Sequence, residues 1–270
     1  MKRKNYYGKN VFVTGASSGI GRSCALLFAR NGFDVVGVSR SIEEKTKRIP
    51  GKGSLTFKRL DITDEAATRE FVEKLPGIDI AVLSAGMGVA GPAETTSSEL
   101  TRRQMEVNYF GTLNAAQPCL GRMRKQGRGL LIVIGSIAGR VCIPMQSQYS
   151  ASKYALEAFT DAVRMEMRQY GVRACILEPG DTKTGFTDAR VMQPSDDYGS
   201  ILRKSVAKMA SDEQNGRSPD DVAKAALSLV GRKNPPARMP VGLEYKALMQ
   251  LLRFAPDRAK EMVISKLYLR

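Results

Sequence analysis

Three side chains near the middle of the chain, Ser136, Tyr149 and Lys153, are of the types that move a proton to or from a substrate oxygen. A free tyrosine has a pKa near ~10, so its phenol is a poor acid or base at neutral pH. Tyr149 and Lys153 are four residues apart where the pattern becomes helical, which places them on one helix face with the ammonium favouring the phenolate. Ser136 can donate or accept a hydrogen bond beside them. The three side chains are therefore candidates for acid–base catalysis.

The elements that must position these side chains follow from hydrophobic periodicity. Residues 130–135 are a short apolar run, which predicts a buried strand ending at Ser136. Ligands of open α/β sheets bind at the carboxyl ends of strands, so Ser136 lies where chemistry is expected. Strand and helix patterns alternate along the chain, which predicts an α/β fold with a parallel sheet covered by helices on both faces. A Tyr-x-x-x-Lys pair alone is more often an ordinary helix surface.

A glycine-rich turn near the amino terminus predicts an anion site. The apolar residues 11–13 run into Gly15, Gly19 and Gly21, and a helical pattern rich in Ala and Leu follows. Glycines at such a turn let the backbone approach a pyrophosphate at the helix N-terminus. The spacing is G-x-x-x-G-x-G, which differs from the common G-x-G-x-x-G fingerprint.

With Ser136, Tyr149 and Lys153 in order behind these glycines, residues 9–230 resemble the short-chain dehydrogenase/reductase family. The resemblance implies a Rossmann-type doubly wound sheet in one domain and hydride transfer between a nicotinamide cofactor and a carbonyl carbon. Tyr149 is then the acid/base, Lys153 lowers its pKa and holds the nicotinamide ribose, and Ser136 orients the carbonyl. The match Val107-Asn108-Tyr109-Phe110-Gly111 makes Asn108 the fourth catalytic residue, which bends its helix and holds a water that relays protons to Lys153.

The end of the predicted second strand, residues 34–39, bears on cofactor choice. The family places an acidic residue there to select NAD, whereas this chain has Ser39 followed by Arg40. A guanidinium holds a 2′-phosphate that a carboxylate would repel, so we expect NADP(H). The other basic residues that follow are interpreted as solvated loop charges. The resemblance places the remaining cofactor contacts at Gly15, Ser17, Ser18, Gly19, Ile20, Gly21, Asp61, Ile62, Ser84, Ala85, Gly86, Asn108, Tyr149, Lys153, Pro179, Gly180, Thr182 and Thr184.

Two of these positions need comment, one for a departure from the family pattern and one for a competing role. The family usually reads Asn-Asn-Ala-Gly where this chain has Leu83-Ser84-Ala85-Gly86, so we expect weaker local bracing there without loss of binding. Asp61 inherits an adenine contact from the resemblance, and its competing role is a helix N-cap, which Thr63 or Asp64 fits better.

The substrate side is predicted from two apolar segments. The loop 137–145 is mostly apolar, and residues 185–216 lack regular periodicity, which favours a substrate loop or lid over 181–216. The substrate is then a bulky apolar ketone or secondary alcohol that is steroid- or lipid-like, as for the hydroxysteroid and retinol dehydrogenases that some stretches resemble. The predicted substrate contacts are Ser136, Val141, Ile143, Met145, Tyr149 and Phe186.

Residues 243–270 lie beyond the strong resemblance and form a predicted helical extension of the catalytic domain 1–242. Tyr245, Leu248, Met249 and Leu252 make one apolar stripe, and basic residues accompany it. We expect the extension to pack on the parent domain or a partner subunit. The alternative is an amphipathic anchor on anionic lipid, and packing is favoured because most apolar helical stripes serve packing.

Bulk composition narrows the function classes. The chain has 42 basic and 27 acidic residues, a formal charge of +15 and no histidine, which suits nucleic acid, an anionic membrane surface or anionic ligands. Nucleic-acid binding is not expected, because there is no aromatic-interleaved basic stripe or helix-turn-helix pattern. No metal site is expected either. The four cysteines form no C-x-x-C pair and predict buried free thiols.

Location, assembly and rival functions complete the predictions. No signal peptide or membrane span is recognised, so we expect a cytoplasmic protein. In the family, the helix that begins at Tyr149 packs with the Asn108 helix across a subunit interface, which implies a homodimer or homotetramer. The rival functions are a cofactor-sensing regulator that keeps the fold without catalysis, and a lipid-ketone reductase in peripheral contact with a membrane surface.

Overall fold

The computed structural model describes residues 4–49 and 52–269, and its centre is an eight-stranded sheet. The strands run in the order β10-β8-β7-β5-β1-β2-β4-β3, and neighbours are parallel except for the antiparallel pair β3–β4. A second, two-stranded parallel sheet joins β6 to β9. The strands are β1 (Asn10–Thr14), β2 (Asp34–Ser39), β3 (Lys45–Arg48), β4 (Ser54–Arg59), β5 (Ile80–Leu83), β6 (Val89–Ala90), β7 (Gly129–Ile134), β8 (Val172–Pro179), β9 (Val191–Met192) and β10 (Arg238–Val241).

Helices cover both faces of the large sheet, because successive strand residues point to opposite sides. Val11 and Val13 pack with α1 and α7 on one face, and Phe12 packs with α2, α4 and α5 on the other. The predicted Rossmann-type doubly wound fold is therefore confirmed. The helices are α1 (Gly19–Arg30), α2 (Glu65–Glu73), α3 (Ser98–Met105), α4 (Gly111–Gln126), α5 (Ser147–Met167), α6 (Gly199–Gln214), α7 (Pro219–Val230), α8 (Leu243–Phe254) and α9 (Asp257–Tyr268).

Three segments differ from the sequence-based expectations. The substrate segment 181–216 is not irregular throughout, since α6 occupies Gly199–Gln214. Its periodicity is weak because a serine, Ser205, sits between Leu202 and Met209 on the buried face. The basic stretch Lys45–Arg48, for which the sequence predicts loop charges, forms the fully exposed edge strand β3, which backbone pairing to β4 supports. The helix predicted to carry Asn108 is interrupted by a π-helix at Glu106–Phe110.

Two further observations concern the chain as a whole. Three cysteines, Cys24, Cys119 and Cys175, are buried as expected, but Cys142 is exposed, because the loop between β7 and α5 brings it to the surface. Within residues 4–49 and 52–269, no helix combines the length and the apolar character needed to cross a membrane.

Candidate active site

A cavity of about 690 Å³ lies at the carboxyl ends of β1, β2, β5, β7 and β8. The glycine-rich turn forms one end of it, and Ser136, Tyr149 and Lys153 lie at its centre. Residues from 181–189 and from α8 and α9 close the other end. Motifs far apart in the sequence therefore meet in one site, as the parallel-sheet argument requires.

The glycine-rich turn forms a cradle with no room for side chains. A Cβ on Gly21 would lie 2.3 Å from the Gly15 carbonyl oxygen, and Gly15 has a left-handed φ of 69°. Ser18 is the N-cap of α1, and its side chain makes no capping hydrogen bond. The first-turn amides of α1 therefore lie beside the cavity, an arrangement that fits a pyrophosphate.

The strand-end segment at residues 84–86 is braced by the neighbouring strand. The Thr14 hydroxyl oxygen accepts hydrogen bonds from the amides of Ser84 (3.0 Å) and Ala85 (3.2 Å). A Cβ on Gly15 would lie 2.8 Å from the Ala85 Cα, so the two turns pack backbone against backbone. Bracing of this segment thus comes from Thr14, a residue that the motif comparison did not single out.

The far end of the cradle is basic. Ser39, Arg40 and Asp61 line the cavity there, together with Arg103 from α3, which the sequence analysis missed. Arg40, Arg102 and Arg103 also border a smaller adjoining cavity of about 340 Å³. The motif search missed the α3 arginines because their approach to Arg40 depends on how α3 crosses the sheet.

Asp61 and Asp64 divide the two roles considered for Asp61. The Asp64 carboxylate caps α2 by accepting from the Ala67 amide at 2.9 Å. The Asp61 carboxylate instead accepts from the amide and hydroxyl of Thr63, at 3.0 and 2.8 Å. Asp61 therefore stays at the cavity wall and does not cap the helix.

Tyr149 is half-buried in the cavity wall, and burial raises its pKa to about 12. A hydrogen bond with the Ser136 side chain opposes this shift and lowers the pKa. The phenol is therefore protonated at neutral pH, which suits it to donate a proton.

Lys153 was expected to be the group that lowers the Tyr149 pKa, and the structure assigns that effect to Ser136 and, more weakly, to Arg190. The Lys153 ammonium donates to the Ile134 carbonyl at 3.0 Å and lies 5.7 Å from the centre of the Tyr149 ring. Burial lowers the pKa of Lys153 to about 8. Burial disfavours the charged form of Lys153, and one of its N–H groups is already donated to the Ile134 carbonyl.

Asn108 is buried in the π-helix and does not line the cavity. Its side-chain oxygen accepts from the Met87 amide (2.8 Å), and its nitrogen donates to the Met87 carbonyl (3.0 Å) and to Ser152 Oγ (3.1 Å). The side chain thus ties the segment after β5 to the helix that carries Tyr149 and Lys153. This bracing gives the mid-helix asparagine a reason that the sequence did not reveal.

Most of the predicted substrate contacts meet at the other half of the cavity. Val141, Ile143 and Phe186 line it with Ser136 and Tyr149, and the Phe186 ring centre is 5.6 Å from that of Tyr149. Met145, also predicted as a substrate contact, is not among the lining residues. Its backbone takes a left-handed φ of 61°, and its carbonyl accepts from the Gly91 amide at 2.8 Å.

The substrate half also contains side chains that no motif indicated. The Glu213 carboxylate of α6 accepts from Thr187 and from the buried Arg190 guanidinium. Tyr245 of α8 donates to the Asp181 carboxylate at 2.8 Å and accepts from the Asp181 amide at 2.9 Å. The lining residues outside the predicted set include Gln146, Asp181, Asp212, Glu213, Tyr245, Leu248, Leu252, Ile264, Leu267 and Tyr268.

A buried ionic cluster lies behind Lys153. The Glu157 carboxylate accepts from Arg238 at 2.8 Å, and the Glu178 carboxylate accepts from Arg140 at 3.0 Å. One oxygen of each carboxylate is buried and has no hydrogen-bond partner among residues 4–49 and 52–269. Burial, reinforced by the charge of Glu178, raises the pKa of Glu157 to about 8.

Comparisons with known proteins bear on this site. The family model described as short chain dehydrogenase matches residues 9–194. A 3-ketodihydrosphingosine reductase from Bacteroides thetaiotaomicron is 35% identical over 267 residues, which covers 96% of this chain and 97% of the relative. The crystal structure of a short-chain dehydrogenase from Streptomyces avermitilis is 25% identical with a TM-score of 0.79, covering 96% of this chain and 97% of that one. The structure of ElxO with NADP bound is 26% identical with a TM-score of 0.71, covering 88% and 99%.

Proposed function

Because the chain belongs to the short-chain dehydrogenase/reductase family and is an oxidoreductase of CH–OH and ketone groups, we propose that it interconverts a bulky apolar ketone and its secondary alcohol with NADP(H). The observation that carries this proposal is one cavity whose lining joins the glycine-rich turn to Ser136, Tyr149 and Lys153. The far end of the same cavity is walled by apolar side chains of α8 and α9.

The cofactor fits the cradle described above, where Gly15, Gly19 and Gly21 leave space that a Cβ would fill. The first turn of α1 would hold the pyrophosphate, and residues 179–184 would lie beside the nicotinamide. When bound, the nicotinamide supplies or accepts the hydride at the carbonyl carbon. The protein's share of the chemistry is to bind, to orient and to move a proton at oxygen.

Tyr149 is the residue that would donate this proton. Its raised pKa keeps the phenol protonated at neutral pH, so it is ready to protonate a carbonyl oxygen as hydride arrives at carbon. Ser136 donates a second hydrogen bond to that oxygen and orients it. Lys153, whose pKa of about 8 leaves it mainly charged at pH 7, stabilises the phenolate that proton transfer leaves. Asn108 acts through its hold on the helix that carries both residues.

The preference for NADP(H) over NAD(H) rests on the basic end of the cradle. Arg40 follows β2 at the cavity wall, and Arg103 approaches from α3. Guanidinium groups at this place attract a 2′-phosphate by charge-assisted hydrogen bonds. The NADP complex of the relative ElxO supports this choice.

The apolar substrate class rests on the walls of the second half of the cavity. Val141, Ile143 and Phe186 surround the approach to Tyr149, and Leu248 and Leu252 extend the apolar wall. The relative from Bacteroides thetaiotaomicron is named for reduction of 3-ketodihydrosphingosine, which supports a lipid-like ketone. The acidic groups Asp212 and Glu213 give this wall a polar end.

Assembly and location belong to the same proposal. Phe110, Tyr154 and Met165 are exposed on the π-helix and on α5, the elements expected at a subunit interface. Burial of such side chains between copies supports a homodimer or homotetramer. A cytoplasmic location suits the four unpaired thiols.

A kinetic assay with a ketone panel tests the proposal. Purified protein is mixed with NADPH or NADH and with ketones of increasing chain length, and loss of nicotinamide absorbance is followed. We expect kcat/KM to rise with chain length and to be larger with NADPH. Tight NADPH binding without turnover of any ketone or alcohol would favour the cofactor-sensing regulator instead.

A further inference from the structure

Helix α8 has two apolar faces where a surface helix normally has one. On the inner face, Tyr245, Leu248 and Leu252 line the cavity. On the outer face, Leu243, Leu251 and Phe254 are 78%, 71% and 81% exposed. These three residues and the exposed Ala247 recur at i, i+4, i+8 and i+11, so they form one stripe opposite the cavity-lining stripe. We call this stripe the outer face of α8.

Cations border the outer face. Lys246 and Arg253 follow it along one side by helical spacing, and α9 adds Arg258 and Lys266 beside the exposed Met262. In the part of the chain that the structure describes, none of these four cations has a carboxylate within ion-pair distance. The acidic residue of α8, Glu244, is already paired with Arg217 through bonds of 2.6 and 2.7 Å.

We propose that the outer face of α8 docks on an anionic lipid bilayer. Leu243, Leu251 and Phe254 enter the boundary between headgroups and acyl chains, and Lys246 and Arg253 bind lipid phosphates. The opposite face of the same helix lines the cavity that contains Tyr149. An apolar substrate can therefore pass between bilayer and cavity beneath α8, a consequence that rests on the proposed function, whereas the docking itself does not.

Charge favours a bilayer over a second copy of the chain as the occupant. A twofold contact through this face would bring Lys246 and Arg253 of one copy near the same cations of its partner. These like charges, which have no carboxylate partner on this face among the described residues, oppose such a contact. An anionic bilayer offers phosphates to the cations and hydrocarbon to the stripe at the same time.

Co-sedimentation of the full chain with vesicles tests the docking. Vesicles of phosphatidylcholine with phosphatidylglycerol are compared with vesicles of phosphatidylcholine alone. We expect binding to the anionic vesicles that weakens at high salt, and a loss of about 10-fold or more in Leu251→Glu/Phe254→Glu. Lys246→Ala/Arg253→Ala should weaken binding about 5-fold for each cation removed.

The matched control is Ile201→Glu, which places a carboxylate on an isoleucine that is 43% exposed on α6, away from the expected subunit interface. It should bind the anionic vesicles like the unmodified protein. Melting temperature shows whether the variants are folded, and Leu243→Ser/Phe254→Ser replaces the glutamate pair if that pair is destabilised. None of these measurements needs a substrate, so failure of docking and failure of the proposed reaction are separate results.

Two outcomes would overturn the proposal. The first is unmodified protein that stays in the supernatant with anionic vesicles, or a folded outer-face variant that binds them undiminished. The second is sedimentation velocity in which the unmodified protein is a dimer, the outer-face variant is a monomer, and neither binds vesicles. That result would make the outer face a contact between copies.

Discussion

The two halves of the cavity are built in different ways. The cofactor half consists of strand ends and a glycine-rich turn, in which Gly15 and Gly21 leave space beside the backbone. The substrate half consists of side chains from elements that are distant in sequence, such as Glu213 of α6 and Tyr245 of α8. Backbone geometry tolerates few residue types, whereas a wall of side chains tolerates many. A chain of this kind therefore keeps one cofactor chemistry while its substrate wall is free to vary.

The sharpest test of this comparison is Tyr149→Phe, at the boundary between the halves. The ring remains, but the transferable proton is lost, so turnover should fall by about 100-fold or more. The dissociation constant for NADPH, measured by fluorescence titration, should stay nearly unchanged. The control is Tyr154→Phe one turn further along α5, outside the cavity lining. Near-normal turnover of Tyr149→Phe would remove it from the role of acid.

Arg40→Ala perturbs the cofactor half alone. Loss of charged hydrogen bonds to a 2′-phosphate should reduce the preference for NADPH over NADH by about 1.5–3 kcal/mol, roughly 10- to 100-fold in the ratio of kcat/KM. The KM for ketone should change little. Arg30→Ala at the end of α1 is the control, since Arg30 does not line the cavity. Equal use of both cofactors by the unmodified enzyme would contradict the assignment.

Gly180→Ala disturbs the contact between the cofactor half and the substrate half of the cavity. A Cβ there would lie 2.0 Å from Cζ of Tyr245, so the ring and α8 must move. We expect the free energy of unfolding to fall by about 1–3 kcal/mol, a typical cost of overpacking, with KM raised for both cofactor and ketone. Gly199→Ala, outside the cavity lining and with no atom of the described residues within 4 Å of the added Cβ, should leave both unchanged. A rise in the KM for ketone alone would show that the halves are not coupled at residue 180.

The smallest effect on turnover is expected from Glu157→Gln, because Glu157 lies outside the cavity lining. The pKa of Glu157 is about 8 in the folded chain against an ordinary 4.5. The protonated carboxyl therefore contributes stability that is fully present below pH 4.5 and lost as pH rises through about 8. Glutamine mimics the protonated form, so the variant should match the unmodified protein below pH 4.5. As pH rises from 4.5 to about 8 the melting temperature of the variant should rise steadily relative to that of the unmodified protein, because only the unmodified protein loses stability by ionising its unfolded state. A stability difference that does not change with pH would show that Glu157 does not titrate in this range.

The features that the sequence predicted lie mainly in the cofactor half, and those that it missed lie mainly in the substrate half. Gly15, Gly19 and Gly21, and the pair Tyr149 and Lys153, are local spacings whose geometry is set by a turn or one helix, so the sequence exposes them. Tyr245 and Glu213 reach the cavity only through the path of the whole chain, and no local pattern records that path. The family resemblance and the doubly wound fold were predicted correctly. Met145 lies outside the cavity lining, and its own left-handed backbone in the loop before α5 is a feature that the sequence does not reveal.

The missed elements have physical reasons of their own. Helix α6 escaped because its buried face includes Ser205, and β3 because an edge strand of exposed polar residues has no hydrophobic period. The stripe Tyr245, Leu248 and Leu252 was recognised, and the structure shows it lining the cavity. The exposed outer face of α8 was overlooked because a search for one amphipathic stripe stops at the first.

The seat of Tyr245 on Gly180 has a consequence for protein engineering. The two carboxy-terminal helices follow β10 and line only the substrate end of the cavity, so they are an obvious unit to exchange between related enzymes. Tyr245, however, packs on the Gly180 backbone and holds Asp181 through two hydrogen bonds. A transplanted pair of helices will transfer its substrate specificity only if its first turn has a tyrosine that can make the same contacts. Otherwise residues 180 and 181 must be substituted together with the helices. The segment to exchange is therefore α8 and α9 together with the turn at residues 180 and 181.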